Sequence, residues 1–204
     1  MVKEALVVKR EILFKDRYFE GLLSIDEKDY TSIILKNFLY YERGDKLEND
    51  SSLKQIIPYV LIINPKTKKI FSYRRANNQN YSERRLRNRW SFSLGGHIDR
   101  QDSGNPILSG MIRELHEEVK MEKYPEPKII GYLNDDSGDV EKVHFGVLAL
   151  AETLEDVKKG DDEMAEGRFM SVNEIEELLK NPDNEFDKWT LLSWPFVKEY
   201  LSRK

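Results

Sequence analysis

Three glutamates, Glu114, Glu117 and Glu118, sit three and four positions apart in the stretch IRELHEEVKM, directly behind Arg113. On a helix turning about 100° per residue, with Glu114 at zero, Glu117 falls near roughly −60° and Glu118 near roughly +40°. The three carboxylates then share one sector. Leu108, Met111, Ile112, Leu115 and Val119 fall on the adjoining side and are expected to form a buried edge. Like charges at this spacing repel by a few tenths of a kcal/mol per pair. A hard divalent cation reverses the sign, because Mg²⁺ and Mn²⁺ want oxygen ligands and leave positions open for phosphate oxygens. The triplet alone fits two readings: a solvated face of a charge-rich surface, or a face that holds such an ion.

The surrounding elements must place that helix. Asn105-Pro106 is a start signal, an N-cap followed by the one helical position that tolerates proline. Upstream, RWSFSLGGHID reads as a strand running into a double glycine, Gly95-Gly96. QIIPYVLIINPKTKKIFSYRR reads as a hairpin turning at Asn64-Pro65. KIIGYLND and VEKVHFGVLALAE read as two further strands, EGRFMSV as a short one, and NEIEELLK as a helix capped by Asn173. The tail EFDKWTLLSWPFVKEYL reads as helical with an interruption near Pro195. Before residue 56, ALVVKREILF reads as a strand. DEKDYTSIILKNFLYYERG reads as one helix, capped by Asp26 and stopped at Gly44. The pattern predicts an α/β (α+β) fold with a mixed sheet.

The strand, double glycine, loop and Arg-Glu-x-x-Glu-Glu helix together resemble the Nudix hydrolase family. Its signature is a glycine, five residues, Glu, seven residues, then Arg-Glu-aliphatic-x-Glu-Glu-x-Gly-aliphatic. Gly96 matches the opening glycine, and Arg113, Glu114, Leu115, Glu117, Glu118 and Met121 match the later part. Between Gly96 and Arg113 this chain is three residues longer than the signature (113 − 96 = 17, against 14). Asn105 stands where the signature has Glu and Lys120 where it has Gly, the latter suggesting that the helix runs on towards KYPEP. The resemblance implies a Nudix-type α/β/α sandwich over residues 56–204, with residues 1–55 as an N-terminal strand-helix extension packed on it. It implies cleavage of a diphosphate linkage in a nucleoside diphosphate derivative, with Mg²⁺ or Mn²⁺ as cofactor.

Carried over residue by residue, Glu117 and Glu118 become the principal metal ligands. Glu114 becomes a further ligand or helps to activate water, and the carbonyl of Gly96 completes the set. Arg113 would orient a glutamate by a charge-assisted hydrogen bond. Some family members add a carboxylate from a late loop, which makes Glu163 and Glu166 candidates within GDDEMAEGRF. Arg74, Arg75 and Arg89, with Arg84, Arg85 and Arg87 nearby, could hold substrate phosphates. His97 reads as a loop residue, His144 as a satisfied core residue, and His116 as facing away from the glutamates; none is expected to ligate. The alternative is a non-catalytic Nudix-fold module that binds a nucleotide or regulates another protein. Isopentenyl diphosphate isomerase, a related fold, relies on a cysteine, and this chain has none.

Composition narrows the partners. The 204 residues carry 33 basic and 37 acidic side chains, a net charge of −4 without a basic or acidic tail. That argues against nucleic acid or a charged membrane surface as partner. The absence of cysteine removes disulfides and thiolate sites. No apolar run reaches membrane-spanning length and no signal-peptide pattern opens the chain, so a cytoplasmic protein is expected. The expected partner is a small nucleotide or diphosphate compound, and a homodimer is expected from the family.

Overall fold

The computed structural model describes residues 3–77, 86–160 and 162–203. Along the chain run β1 (Glu4–Lys9), α1 (Arg10–Leu13), β2 (Gly21–Ser24), α2 (Thr31–Asn37), β3 (Leu39–Glu42), α3 (Asp45–Glu48), β4 (Leu53–Asn64) and β5 (Lys69–Arg75). There follow β6 (Trp90–Ser91), β7 (Ser93–Leu94), α4 (Pro106–Glu118), β8 (Val119–Lys120), β9 (Lys128–Asn134) and β10 (His144–Glu152). The chain closes with β11 (Lys158–Lys159), β12 (Met164–Met170), α5 (Val172–Lys180) and α6 (Lys188–Arg203). This is the expected α/β class, with a ten-stranded sheet and a separate β8–β11 ribbon. The contacts group into two compact units. One holds Met1–Val60, Gly95–Glu114 and Pro127–Ala149, the other Leu61–Leu94, Leu115–Glu126 and Leu150–Lys204.

In the first unit β1 pairs antiparallel with β3 and with the start of β4, and β2 pairs antiparallel with β9. Every residue from Ala5 to Val8 is buried, which is why this strand reads as a continuous apolar run rather than an alternation. Phe14, Phe19, Tyr30, Tyr132 and Phe145 form one aromatic cluster with mostly edge-on and tilted contacts. Tyr30 is fully buried and donates its hydroxyl to the Arg17 carbonyl at 2.5 Å, so its polar end is satisfied.

The single long helix expected over residues 26–44 is not formed. α2 covers only Thr31–Asn37, Leu39–Glu42 is a strand, and α3 is a separate turn. Asp29, not Asp26, satisfies the start of α2, accepting from the Thr31 backbone N–H at 2.8 Å and the Ser32 hydroxyl at 2.7 Å. Tyr40 and Tyr41 leave the helix to pair with Leu6 and Ala5, a long-range ladder that local periodicity does not register.

In the second unit β5 lies between β12 and the end of β4, and also pairs with β6. The cap of α5 is Ser171 rather than Asn173: its hydroxyl accepts from the Glu174 N–H while the Glu174 carboxylate reaches back, a reciprocal capping box. α6 runs unbroken through Pro195, so the expected interruption is absent. The proline leaves one carbonyl without its helical hydrogen bond, and packing of Trp189, Trp194, Val197 and Leu201 holds the helix across it.

Candidate metal centre

α4 begins where the sequence signals it. Asn105 Oδ1 accepts from the Leu108 N–H at 3.3 Å and its carbonyl from the Ser109 N–H at 2.9 Å. The buried edge is rotated from the expected one. Ile107, Met111, Leu115 and Val119 are buried, but Ile112 is 39% exposed and Leu108 only half-buried. The rotation brings Glu114 onto the buried face, whereas Glu118 is half-buried and Glu117 exposed. A buried carboxylate needs compensation, and Arg113 gives it.

Arg113 Nη1 donates to Glu114 Oε1 at 2.7 Å. Its Nε and Nη2 donate to the two oxygens of Asp102 at 2.9 and 3.0 Å, and Nη2 also donates to the His97 carbonyl at 2.9 Å. Burial alone would lower the Arg113 pKa, but Asp102 and Glu114 outweigh it and raise it above its ordinary value. Arg113 is thus hydrogen-bonded to Glu114 and to Asp102 at once. Asp102 was not anticipated. It lies in the three-residue-longer loop, its side chain only 3% exposed, and its Oδ2 also accepts from the Asp99 N–H at 2.9 Å. A signal was there to find: an arginine this close to a buried helix face needs a carboxylate, and Asp99 and Asp102 are the acids of that loop.

The two glycines answer different demands. A Cβ at Gly95 would lie 1.8 Å from the Pro58 carbonyl oxygen, so the backbones meet there only because no side chain intervenes. A Cβ at Gly96 would lie 2.7 Å from Glu114 Oε1 and 3.0 Å from its Cδ. Gly96 and the Glu114 carboxylate are thus direct neighbours.

At its other end α4 stops at Glu118, and Val119–Lys120 turn at once into β8, pairing with β11. Lys120 does not extend the helix. The Gly160 N–H donates to the Glu118 carbonyl at 2.8 Å, and a Cβ on Gly160 would meet that peptide at 2.7 Å. A glycine from a distant loop does what one after the glutamate pair would ordinarily do.

The remaining candidates lie in the second unit. Arg74 faces Glu166 across β5 and β12, donating to Oε1 at 2.9 Å, and also donates to Asn88. Arg75 approaches Asp187 at 3.9 Å with its guanidinium over the Tyr73 ring, and Arg89 donates to Glu185 at 3.2 Å. The Glu163 carbonyl accepts from the Ala76 N–H at 2.7 Å, which holds the late loop beside the end of β5. Arg84 and Arg85 lie outside the described residues.

The histidines are more engaged than expected. His116 stacks on Tyr124 with ring centroids 3.7 Å apart. His97 Nε2 is 2.8 Å from Gln55 Oε1 and 3.4 Å from His144 Nε2. Burial, with Arg43, His144 and Lys3 adding to it, holds the His97 pKa well below its ordinary value.

Helix, glycine and arginine clamp define a protein that presents carboxylates from one helix beside a glycine-lined turn. Residues 54–194 match the family profile described as NUDIX domain. Protein YmaB of Bacillus subtilis (strain 168) is 31% identical over 199 residues, covering 91% of this chain and 92% of that protein. Among solved structures, Tm1382, described as a candidate Nudix hydrolase, is 25% identical with a TM-score of 0.77, covering 97% of this chain and 99% of its own. A bifunctional NMN adenylyltransferase/ADP ribose pyrophosphatase from Francisella tularensis, complexed with AMP and a manganese ion, matches in fold alone. It is 14% identical with a TM-score of 0.52, covering 72% of this chain and 42% of that one. This chain belongs to the Nudix family. No helix among the described residues is long and apolar enough to cross a membrane.

Proposed function

We propose that the protein hydrolyses a diphosphate linkage in a nucleoside diphosphate derivative, using Mg²⁺ or Mn²⁺ held by Glu114, Glu117, Glu118 and the Gly96 carbonyl. The observation that carries the reading is the Gly96–Glu114–Arg113 contact set: a carboxylate paired with Arg113 at a buried helix face, pressed against a glycine with room for no side chain. The donor set suits the ion, since carboxylate and carbonyl oxygens are what hard divalent cations select. When bound, the ion supplies charge neutralisation for the diphosphate and a more acidic water.

The chain's own residues do the rest. Arg113 holds Glu114 in one orientation and offsets its charge, so that the carboxylate is positioned before substrate arrives. Glu117 and Glu118, one exposed and one half-buried, remain accessible to a ligand. Arg74, Arg75 and Arg89 are the proposed phosphate contacts, and each would exchange its present carboxylate partner for a substrate oxygen. Glu166, released from Arg74 by that exchange, and Glu163 are the proposed late-loop bases.

The test is a panel of nucleoside triphosphates, dinucleotides, ADP-ribose and sugar nucleotides, supplemented with Mg²⁺ or Mn²⁺ and scored for phosphate or nucleotide release. Cleavage of at least one class is expected, with Glu117→Gln and Glu118→Gln folded but inactive and weaker in metal binding. A wild type inert on every class, or both variants fully active, overturns the reading.

A further inference from the structure

A second set of donor atoms converges within the first unit, made of side chains other than the glutamates of α4. A carboxylate oxygen of Glu48 at the end of α3, a ring nitrogen of His97 and one of His144 all lie within 4.8 Å of one another. The two Nε2 atoms are 3.4 Å apart, with ring centroids 5.4 Å apart and planes inclined at 66°. Two metal–nitrogen bonds of about 2.0–2.1 Å meeting at a tetrahedral angle span roughly 3.4 Å. The imidazoles already hold that bite.

His144 is also set in the tautomer a ligand needs. Its Nδ1 is 2.6 Å from the Val140 carbonyl. A carbonyl can only accept, so Nδ1 carries the hydrogen and the neutral ring keeps a lone pair on Nε2. A backbone carbonyl on the far nitrogen is how metal-bound histidines are commonly oriented. Gln55 links the group: its Oε1 accepts from His97 Nε2–H at 2.8 Å and its Nε2 donates to Glu48 Oε1 at 3.4 Å. A metal ion here would take the place of the His97 Nε2 hydrogen, which moves to Nδ1, and Gln55 Oε1 would turn from acceptor to ligand.

We propose that Glu48, His97 and His144 form a site for a borderline transition-metal ion of the Zn²⁺ type, with Gln55 Oε1 as a fourth donor. Two imidazoles and a carboxylate select such ions over Mg²⁺ or Ca²⁺, which prefer oxygen alone. The site is structural. It ties α3, the start of β4 and the start of β10 to the residue that follows Gly96, and so braces the peptide whose carbonyl receives Arg113.

The test is a Co²⁺ titration of the chelator-stripped full chain, since tetrahedral Co²⁺ bound by nitrogen and oxygen absorbs visible light. One equivalent is expected to develop the absorption and Zn²⁺ to displace it. A Glu117→Gln/Glu118→Gln double variant, though weaker in Mg²⁺ or Mn²⁺ binding, should develop the same visible absorption. Glu48→Gln and His144→Ala should each weaken Co²⁺ binding by more than about tenfold. Because His144 is buried, Glu48→Gln at its half-buried position is the variant read first, with circular dichroism confirming its fold. No absorption from the wild-type chain overturns the proposal. So does absorption that survives Glu48→Gln undiminished, or that disappears with the α4 glutamates.

Discussion

Glu114 is held by its neighbours rather than by its own side chain, and single substitutions around it should separate stability from chemistry. An alanine methyl at position 96 would lie 2.7 Å from Oε1, well inside contact, so the carboxylate must shift. Gly96→Ala is expected to keep its melting temperature while losing at least about tenfold in kcat/KM for diphosphate cleavage, or roughly 1.4 kcal/mol of transition-state stabilisation. Unchanged kinetics would remove Glu114 from the site. Asp102→Asn leaves the shape and takes away a charge that compensates Arg113. It should cost about 1–3 kcal/mol in urea unfolding, and no loss would show that the pair is idle. At this scale the sequence was legible where the chemistry is local: Arg113 next to Glu114, and glycine beside carboxylate. At Asp102 the signal was weaker: Asn105 stands where the signature has Glu, and spacing does not tell the two acids of the longer loop, Asp99 and Asp102, apart.

α5 shows how an element depends on its first turn. The Glu174 pKa is lowered to about 2, first by the Ser171 N–H and then by the Arg168 side chain. A carboxyl lowered on folding stabilises the native state above its unfolded pKa, and that contribution is lost as pH falls through the folded value. The window here therefore runs from about 4.5 down to about 2. With the side chain 38% exposed, solvent screens much of the effect, leaving less than about 1 kcal/mol. Glu174→Gln should flatten the loss of thermal stability across that window, and an unchanged pH profile would place the acid sensitivity elsewhere. Ser171→Ala should cost about 1 kcal/mol at neutral pH. The sequence reading placed the cap at Asn173, which also has a glutamate three residues on, Glu176; spacing alone does not separate the two, and the helix starts two residues earlier, at Ser171 with Glu174. α2 was misread for the opposite reason: its apolar spacing is helical, but a ladder to residues 4–7 claims Leu39–Glu42.

On the scale of the molecule, the first unit rests on a buried charge. Lys54 is fully buried and donates to Asp136 at 2.9 Å, to the His144 carbonyl at 3.1 Å and to the Glu141 carbonyl at 3.4 Å. Arg10 and Tyr18 also bind Asp136. Burial would raise the Asp136 pKa, but the hydrogen bonds from Arg10, Lys54 and Tyr18 prevail and hold it below the ordinary carboxylate range. Its contribution is thus present at and above ordinary carboxylate pKa values and fails only in strong acid. Asp136→Asn would strand the Lys54 ammonium and should cost about 3–5 kcal/mol by denaturant unfolding at neutral pH; a loss below about 1 kcal/mol would mean that the carbonyls suffice. Nothing in the sequence announces this pair. Lys54 reads as the polar lead-in to a strand and Asp136 as one of several turn residues, and 82 positions separate them.

The closure of α4 by Gly160 also orders events in time. A chain is made from its N-terminus, so the glutamate helix leaves the ribosome with the Glu118 carbonyl open to water. Its partner does not exist until residue 160 has been added. Nascent chains arrested before Gly160 has emerged from the exit tunnel should carry the glutamates on a frayed end, and chains arrested after it has emerged should not. Completing that end of the helix is therefore a late step in biogenesis.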